Sequence, residues 1–194
     1  MPIVLNGSGT VTGISAGGLP DGIIHAADLA SGVGGKILQV VSATKQDVAS
    51  NATATQTWWS YTDNSLKVTL TPSSASNKIY LMAFVNFFEA TQQWMMFRFE
   101  QDGSQINETV GNAASNRTLA TGQNMTGGDN NGGRFYMFAA QVDADSTSSR
   151  SYNLGFRHAS SYTRTLYLNR TGDDTDGHAY TRTISTLTAM EIAA

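Results

Sequence analysis

The sequence predicts an all-β protein: an antiparallel β-sandwich of jelly-roll type, preceded by an extended N-terminal arm. Three observations carry that expectation. Charged residues make up 14% of the chain, against roughly 25% in an ordinary soluble domain, and Ser, Thr, Asn and Gly take their place. Runs of β-branched and aromatic residues recur at near-regular spacing from Lys36 onward. Between them stand turn-forming clusters, "TDNS", "TPSSASN", "QDGS", "GGDNNGG" and "NRTGDDTDG", built from residues that tolerate left-handed backbone or bond their own main chain. A helical protein would draw on Glu, Lys, Ala and Leu instead.

Residues 1–35 form one compositional unit, rich in glycine and ending in "GVGG", and residues 36–194 form a second. The first has too few large apolar residues to fold alone. In the second, strands are predicted at 36–45, 55–61, 66–71, 78–88, 93–101, 103–109, 134–142, 150–158, 164–170 and 183–192. Short strands separated by turns at this spacing suit a sandwich. Residues 110–133 are the longest stretch without strand patterning and read as an irregular loop, with "GGDNNGG" at its tip; such long loops in a compact domain are usually functional or mobile.

Two strands carry apolar residues on both faces. In 78–88, Ile79, Leu81, Ala83, Val85 and Phe87 alternate with Tyr80, Met82, Phe84 and Phe88; in 93–101, Met95, Phe97 and Phe99 alternate with Trp94, Met96 and Arg98. A strand of a single sandwich buries one face, so the second face calls for another covering surface, most simply a subunit interface. The alternative is that several of these side chains stand singly on the surface, which is ordinary. Adjacent Trp58 and Trp59 pose the same question, because neighbouring residues in a strand point to opposite faces. One belongs to the core; the other is covered by a subunit or exposed beside hydroxyl and amide groups, where an aromatic face can stack on a sugar ring.

Several function classes lack residues to support them. A net charge of −3, with twelve Lys and Arg scattered singly, gives no electrostatic footprint for nucleic acid. Without cysteine, disulfides, thiol catalysis and Cys-based zinc sites are excluded. No segment approaches the ~20 apolar residues of a membrane span, so no membrane insertion is expected. The opening residues have neither a basic n-region nor an apolar h-region, so the segment is expected to remain in the mature protein. His25, His158 and His178 stand in no metal or catalytic spacing, and no phosphate loop, nucleophile elbow or dinucleotide fingerprint occurs. "GDDTDGH" at 172–178 approaches a calcium loop through Asp174, Asp176 and Gly177, but Gly172 stands where the first acid belongs and Thr183 where the bidentate Glu belongs. Solvated turn acids fit better. The expectation is a non-enzyme without cofactor or metal.

The opening "MPIVLNGSGTVTGISAGGLPDGII…DLASGVGGKILQVV" is similar to the starts of tail-fibre and other virion appendage proteins of marine and cyanobacterial tailed bacteriophages. The later "LKVTLTPSSASNKIYLMAFV" and the terminal "STLTAMEIAA" resemble the β-domain that follows in those proteins, while residues 89–182 look individual to this chain. The resemblance implies a virion protein assembled in the host cytoplasm, a homotrimer whose residues 1–35 are an anchor or trimer neck held by another virion protein. Ile23, Ile24 and Leu29 would be the apolar contacts of that neck, and Tyr80, Met82, Phe84, Trp94 and Met96 those of the trimer in the β-domain. The outward loops would meet host surface polysaccharide or protein through Trp59, Asn124, Asp129, Asn130, Asn131, Asp173, Asp174 and Asp176. The alternatives are a capsid decoration protein and a sugar-binding lectin-like module.

Overall fold

The computed structural model describes residues 4–5, 11–12, 36–53, 56–61, 63–89, 94–125 and 134–194. The chain divides into two units, Met1–Lys36 and Ile37–Ala194. In the first, β1 (Val4–Leu5) and β2 (Val11–Thr12) form a short antiparallel ladder; the expected neck contacts Ile23, Ile24 and Leu29 lie outside the described residues.

Among the described residues of the second unit all ladders are antiparallel, and they make two sheets. The first sheet contains β3 (Ile37–Lys45), β14 (Ser185–Ile192), β7 (Lys78–Glu89), β13 (Arg164–Leu168) and β4 (Ala49–Thr53) in that order, with β11 (Arg134–Asp143) on β7. The second runs β10 (Gly122–Met125), β8 (Trp94–Gln101), β12 (Arg150–His158) and β5 (Trp59–Tyr61), with β6 (Val68–Leu70) on β12 and β9 (Ser104–Gln105) on β8. The protein is a β-sandwich, as its alternation pattern dictates.

The core lies between the sheets. β7 contributes Ile79, Leu81, Ala83, Val85 and Phe87, β8 contributes Met95, Phe97 and Phe99, and β12 contributes Tyr152, Leu154 and Phe156. These are one parity of each strand, as a period of two requires of residues that share a face. Rings meet across the gap: Phe87 stacks on Phe156 with centroids 4.6 Å apart, and Phe97 stands edge-on to both.

Three expectations change. The strand expected at 103–109 is only β9, because Asp102 and Gly103 both take positive φ (51° and 80°), the two-residue hairpin turn that Asp-Gly favours. The chain then closes into a 3-10 turn at Asn107–Thr109, where the Thr109 hydroxyl donates to the Ile106 carbonyl. The stretch 110–133 is not wholly irregular, since Gly122–Met125 pairs with β8. And β4 was not expected: "ASNAT" has no apolar alternation, and it is a strand because β13 supplies a ladder from Ala49 to Thr53.

Candidate functional site

Sandwich strands expose the residues of opposite parity, and here the two outer faces differ in chemistry. On the first sheet, the ladder register aligns Val40, Met190, Tyr80 and Gln141 in one row. The next row is Ser42, Thr188, Met82 and Ala139, and the third is Thr44, Thr186, Phe84 and Met137. Phe135 follows on β11, its ring 5.6 Å from that of Phe84. Tyr80, Met82 and Phe84 are half-buried among these neighbours, whereas Met137 is 64% and Phe135 57% exposed. The result is one apolar surface running diagonally from β14 across β7 to the edge strand β11. Phe88 is not part of it. It is fully buried by its own chain, since Gly172 lies so close that a Cβ there would fall 2.3 Å from the Phe88 ring.

The outer face of the second sheet is built from charge and aromatic rings. Arg98 lies flat along the strands, its guanidinium 4.2 Å from the centre of the Trp58 ring. Its Nε and Nη2 donate to Glu100 Oε1 at 2.9 and 2.6 Å, and Asn153 donates to Oε2 at 2.9 Å. Glu100 is thus fully buried on a face that ordinarily meets solvent. The arrangement needs Gly155 between them, because a Cβ there would come within 2.6 Å of Glu100 Oε1 and 3.1 Å of Arg98 Cγ. Gly155→Ala is expected to cost about 1–3 kcal/mol by forcing this pair apart, checked by the denaturation midpoint. An unchanged midpoint would show that the pair can shift without loss.

Next to this pair stands Arg157, directly opposite Met96 in the ladder. No carboxylate pairs with it among the described residues; its Nη2 reaches the Gln56 side-chain oxygen at 3.5 Å, and its Nε is buried without a partner. Burial, and after it the neighbouring Arg98 guanidinium, pull Arg157 below the ordinary arginine value. Trp94, two residues before Met96 on the same face, is 49% exposed.

The structure therefore separates the residues expected to share one intersubunit surface. Tyr80, Met82 and Phe84 come together on the first sheet, whereas Trp94 and Met96 lie on the outer face of the second. The strands are sequence neighbours but belong to opposite layers. Trp59 also differs from its expected outward role: it packs inward, 5.4 Å from Tyr61, 5.8 Å from Phe156 and 6.4 Å from Phe87. Its neighbour Trp58 takes the outward position.

Of the expected loop residues, Asp129, Asn130 and Asn131 lie outside the described residues, and Asn124 is exposed on β10. Asp173 and Asp176 are exposed in the loop after β13. Asp174 there is bound by Arg182 Nη2 at 2.6 Å and Arg170 Nη1 at 3.1 Å. The Arg182 hydrogen bond first, and Arg170 with it, hold Asp174 below the usual carboxylate range. This acid ties the two ends of its loop together, and a cleft of about 270 Å³ opens beside it, lined by Thr175, Asp176 and Tyr180. His158 is buried, its Nδ1 accepting from the Ser160 backbone N–H at 3.1 Å. The half-buried apolar row on the first sheet was legible in the alternation of 78–88, but its exposed extension through Met137 and Phe135 was missed. Those residues come from a strand whose neighbours sequence does not specify.

No known protein family matches the chain, and no curated protein matches it. Among solved structures it is similar to the VP2 subviral particle of infectious bursal disease virus, with a TM-score of 0.25 and 11% identity. The similarity covers 81% of this chain, which spans only 42% of that one.

Proposed function

We propose that this chain is a non-enzymatic structural protein of a virion, a tail-fibre or related appendage subunit that assembles with copies of itself and attaches to a host surface. The observation that carries the reading is the apolar outer face of the first sheet, from Tyr80, Met82 and Phe84 to the exposed Phe135 and Met137. A contiguous face of this kind on a soluble domain marks an interaction surface. The similarity of "MPIVLNGSGTVTGI" and "LKVTLTPSSASNKIYLMAFV" to phage appendage proteins supports the virion setting.

The two outer faces point in opposite directions. A head-to-tail contact that used both would propagate as an open filament, since a ring closes only when the two contacting patches are inclined to one another. The trimer is therefore assigned to the first sheet alone, which leaves the second sheet free for other contacts. The N-terminal unit would be held by another virion protein.

Light scattering of the purified chain tests this. A trimer is expected, and Met137→Lys combined with Phe135→Ser is expected to weaken the subunit contact by about 100-fold or more, since each buried Phe or Met side chain is worth about 1.5–3 kcal/mol. A monomeric parent chain, or a trimer indifferent to the double substitution, would overturn the assignment. Electron microscopy of particles carrying labelled subunits should then show density on the tail. Density on the head would make this a capsid decoration protein.

A further inference from the structure

The second sheet carries a feature that the described residues do not satisfy. Arg157 is a partly buried cation beside a second guanidinium, and the Glu100 carboxylate on the same face is engaged by Arg98 and Asn153. Among the described residues Arg157 has only the 3.5 Å contact to Gln56, and its Nε has no partner. A partly buried guanidinium beside a like charge is destabilised in the free protein and stabilised by an arriving anion. The chain as a whole carries a net charge of −3, so this cation is set against the general field rather than being part of a basic surface.

What stands beside the cation narrows the anion. Met96 faces Arg157 directly in the ladder, and Trp94 is its diagonal neighbour on the same face, at the ~7–8 Å spacing of such pairs in antiparallel sheets. Trp94 is half exposed, in contrast to Trp58, which is covered by Arg98. A flat apolar ring at that distance from a guanidinium matches a ligand that has an apolar ring face and a carboxylate at its edge. A bare inorganic anion would have no use for the indole.

We propose that the outer face of the second sheet binds an acidic saccharide, with Arg157 taking the carboxylate of a uronate-type sugar and Trp94 stacking on its pyranose ring. This rests on the host-attachment reading, whose ligand class it names, and it places attachment on the face opposite the assembly surface. Trp58 is the buttress: its ring covers the Arg98 guanidinium that stands beside Arg157. Gln123, opposite Met96 on β10, is exposed at the rim and can hydrogen-bond the sugar's hydroxyls.

The test uses the full chain and three probes: a galacturonate tetramer, the neutral galactose tetramer and inorganic sulfate, each followed by tryptophan fluorescence and calorimetry. The acidic tetramer is expected to bind and to perturb the indole emission, with the neutral one at least about tenfold weaker because it lacks the charge-assisted bond. Arg157→Gln is expected to weaken the acidic tetramer by about tenfold or more, and Arg157→Lys, which keeps the charge but loses the planar fork, by less. Trp94→Ala removes the stacking platform and is expected to weaken binding of the acidic tetramer also by about tenfold, by analogy with aromatic stacking on nucleic-acid bases. Trp94→Phe, which keeps an aromatic ring and the fold, should retain most of it. Neutral and acidic tetramers binding alike, sulfate binding as tightly as the acidic tetramer, or Arg157→Gln without effect would each overturn the proposal. No binding of the acidic tetramer would overturn it as well. Native mass measured on the same samples keeps the outcomes apart, because a trimer that ignores the sugar leaves the assembly reading standing.

Discussion

Phe156→Ala is expected to destabilise the sandwich by about 3–5 kcal/mol, the cost of emptying a fully packed aromatic site. Phe156 is completely buried and sits where the two sheets meet. It stacks on Phe87 of the opposite layer at 4.6 Å and touches Phe97 and Trp59 at 5.8 Å each. The neighbouring rings are themselves held in ladders, so they cannot close over the cavity. Against a total stability of ~5–15 kcal/mol for a domain of ordinary size, the variant would be close to unfolding. Urea denaturation followed by tryptophan emission measures it directly, since Trp59 lies in this cluster. A loss below about 1 kcal/mol would mean the layers are joined elsewhere.

The second large effect is expected at Glu191. This carboxylate on β14 is fully buried and, among the described residues, pairs with no cation; instead it accepts hydrogen bonds from Gln39 Nε2 at 2.5 Å, Asn77 Nδ2 at 2.6 Å, and the Ser73 backbone N–H and hydroxyl at 2.6 and 2.8 Å. Burial opposes its ionisation, but those donors outweigh it and bring the pKa from 4.5 down to about 2. The folded chain therefore binds this proton more weakly than the unfolded chain. Its contribution is complete above the ordinary value of 4.5 and is lost as pH falls toward 2. At about 1.4 kcal/mol per pKa unit this comes to about 3 kcal/mol at neutral pH.

Glu191→Gln keeps the shape and removes the charge. It should melt well below the parent protein at pH 7, with the gap narrowing steadily between pH 4.5 and 2. Glu191→Ala should cost at least as much, because the buried Asn77 amide then loses its 2.6 Å acceptor and keeps only the Ser73 hydroxyl at 3.2 Å. A gap between parent and Gln variant that stays constant over that pH range would refute the linkage.

How much of this was legible from sequence depended on whether the signal was local. The alternation in "KIYLMAFVNFF" and "WMMFRFEQ" identified β7 and β8 and divided their residues between two faces, one of which forms the core. "ASNAT" and "GQNM" carried no such signal, and each is a strand only because a neighbour offers it a ladder. The surplus apolar face of 78–88 had two destinations that alternation cannot distinguish. Phe88 went under its own loop, while Tyr80, Met82 and Phe84 stayed at the outer surface. The choice between Trp58 and Trp59 was equally open. It follows from the register of β5, where Trp59 stands opposite Phe156 and must share its inward parity.

The sequence by itself determined that this protein is built of strands, that they form a sandwich, and how the residues of the long strands divide between two faces. Those properties follow from residue type and a period of two, both of which are local. Only the tertiary structure decided which surfaces the unburied residues compose. Register and layer assignment join Phe84 to Phe135, set Arg157 opposite Met96, bury Glu100 beneath Arg98, and put Trp94 on the face opposite Tyr80. Such juxtapositions depend on ladders between segments far apart in sequence, such as those of Met96 and Arg157, and a shift of one residue in any ladder would exchange one face for the other.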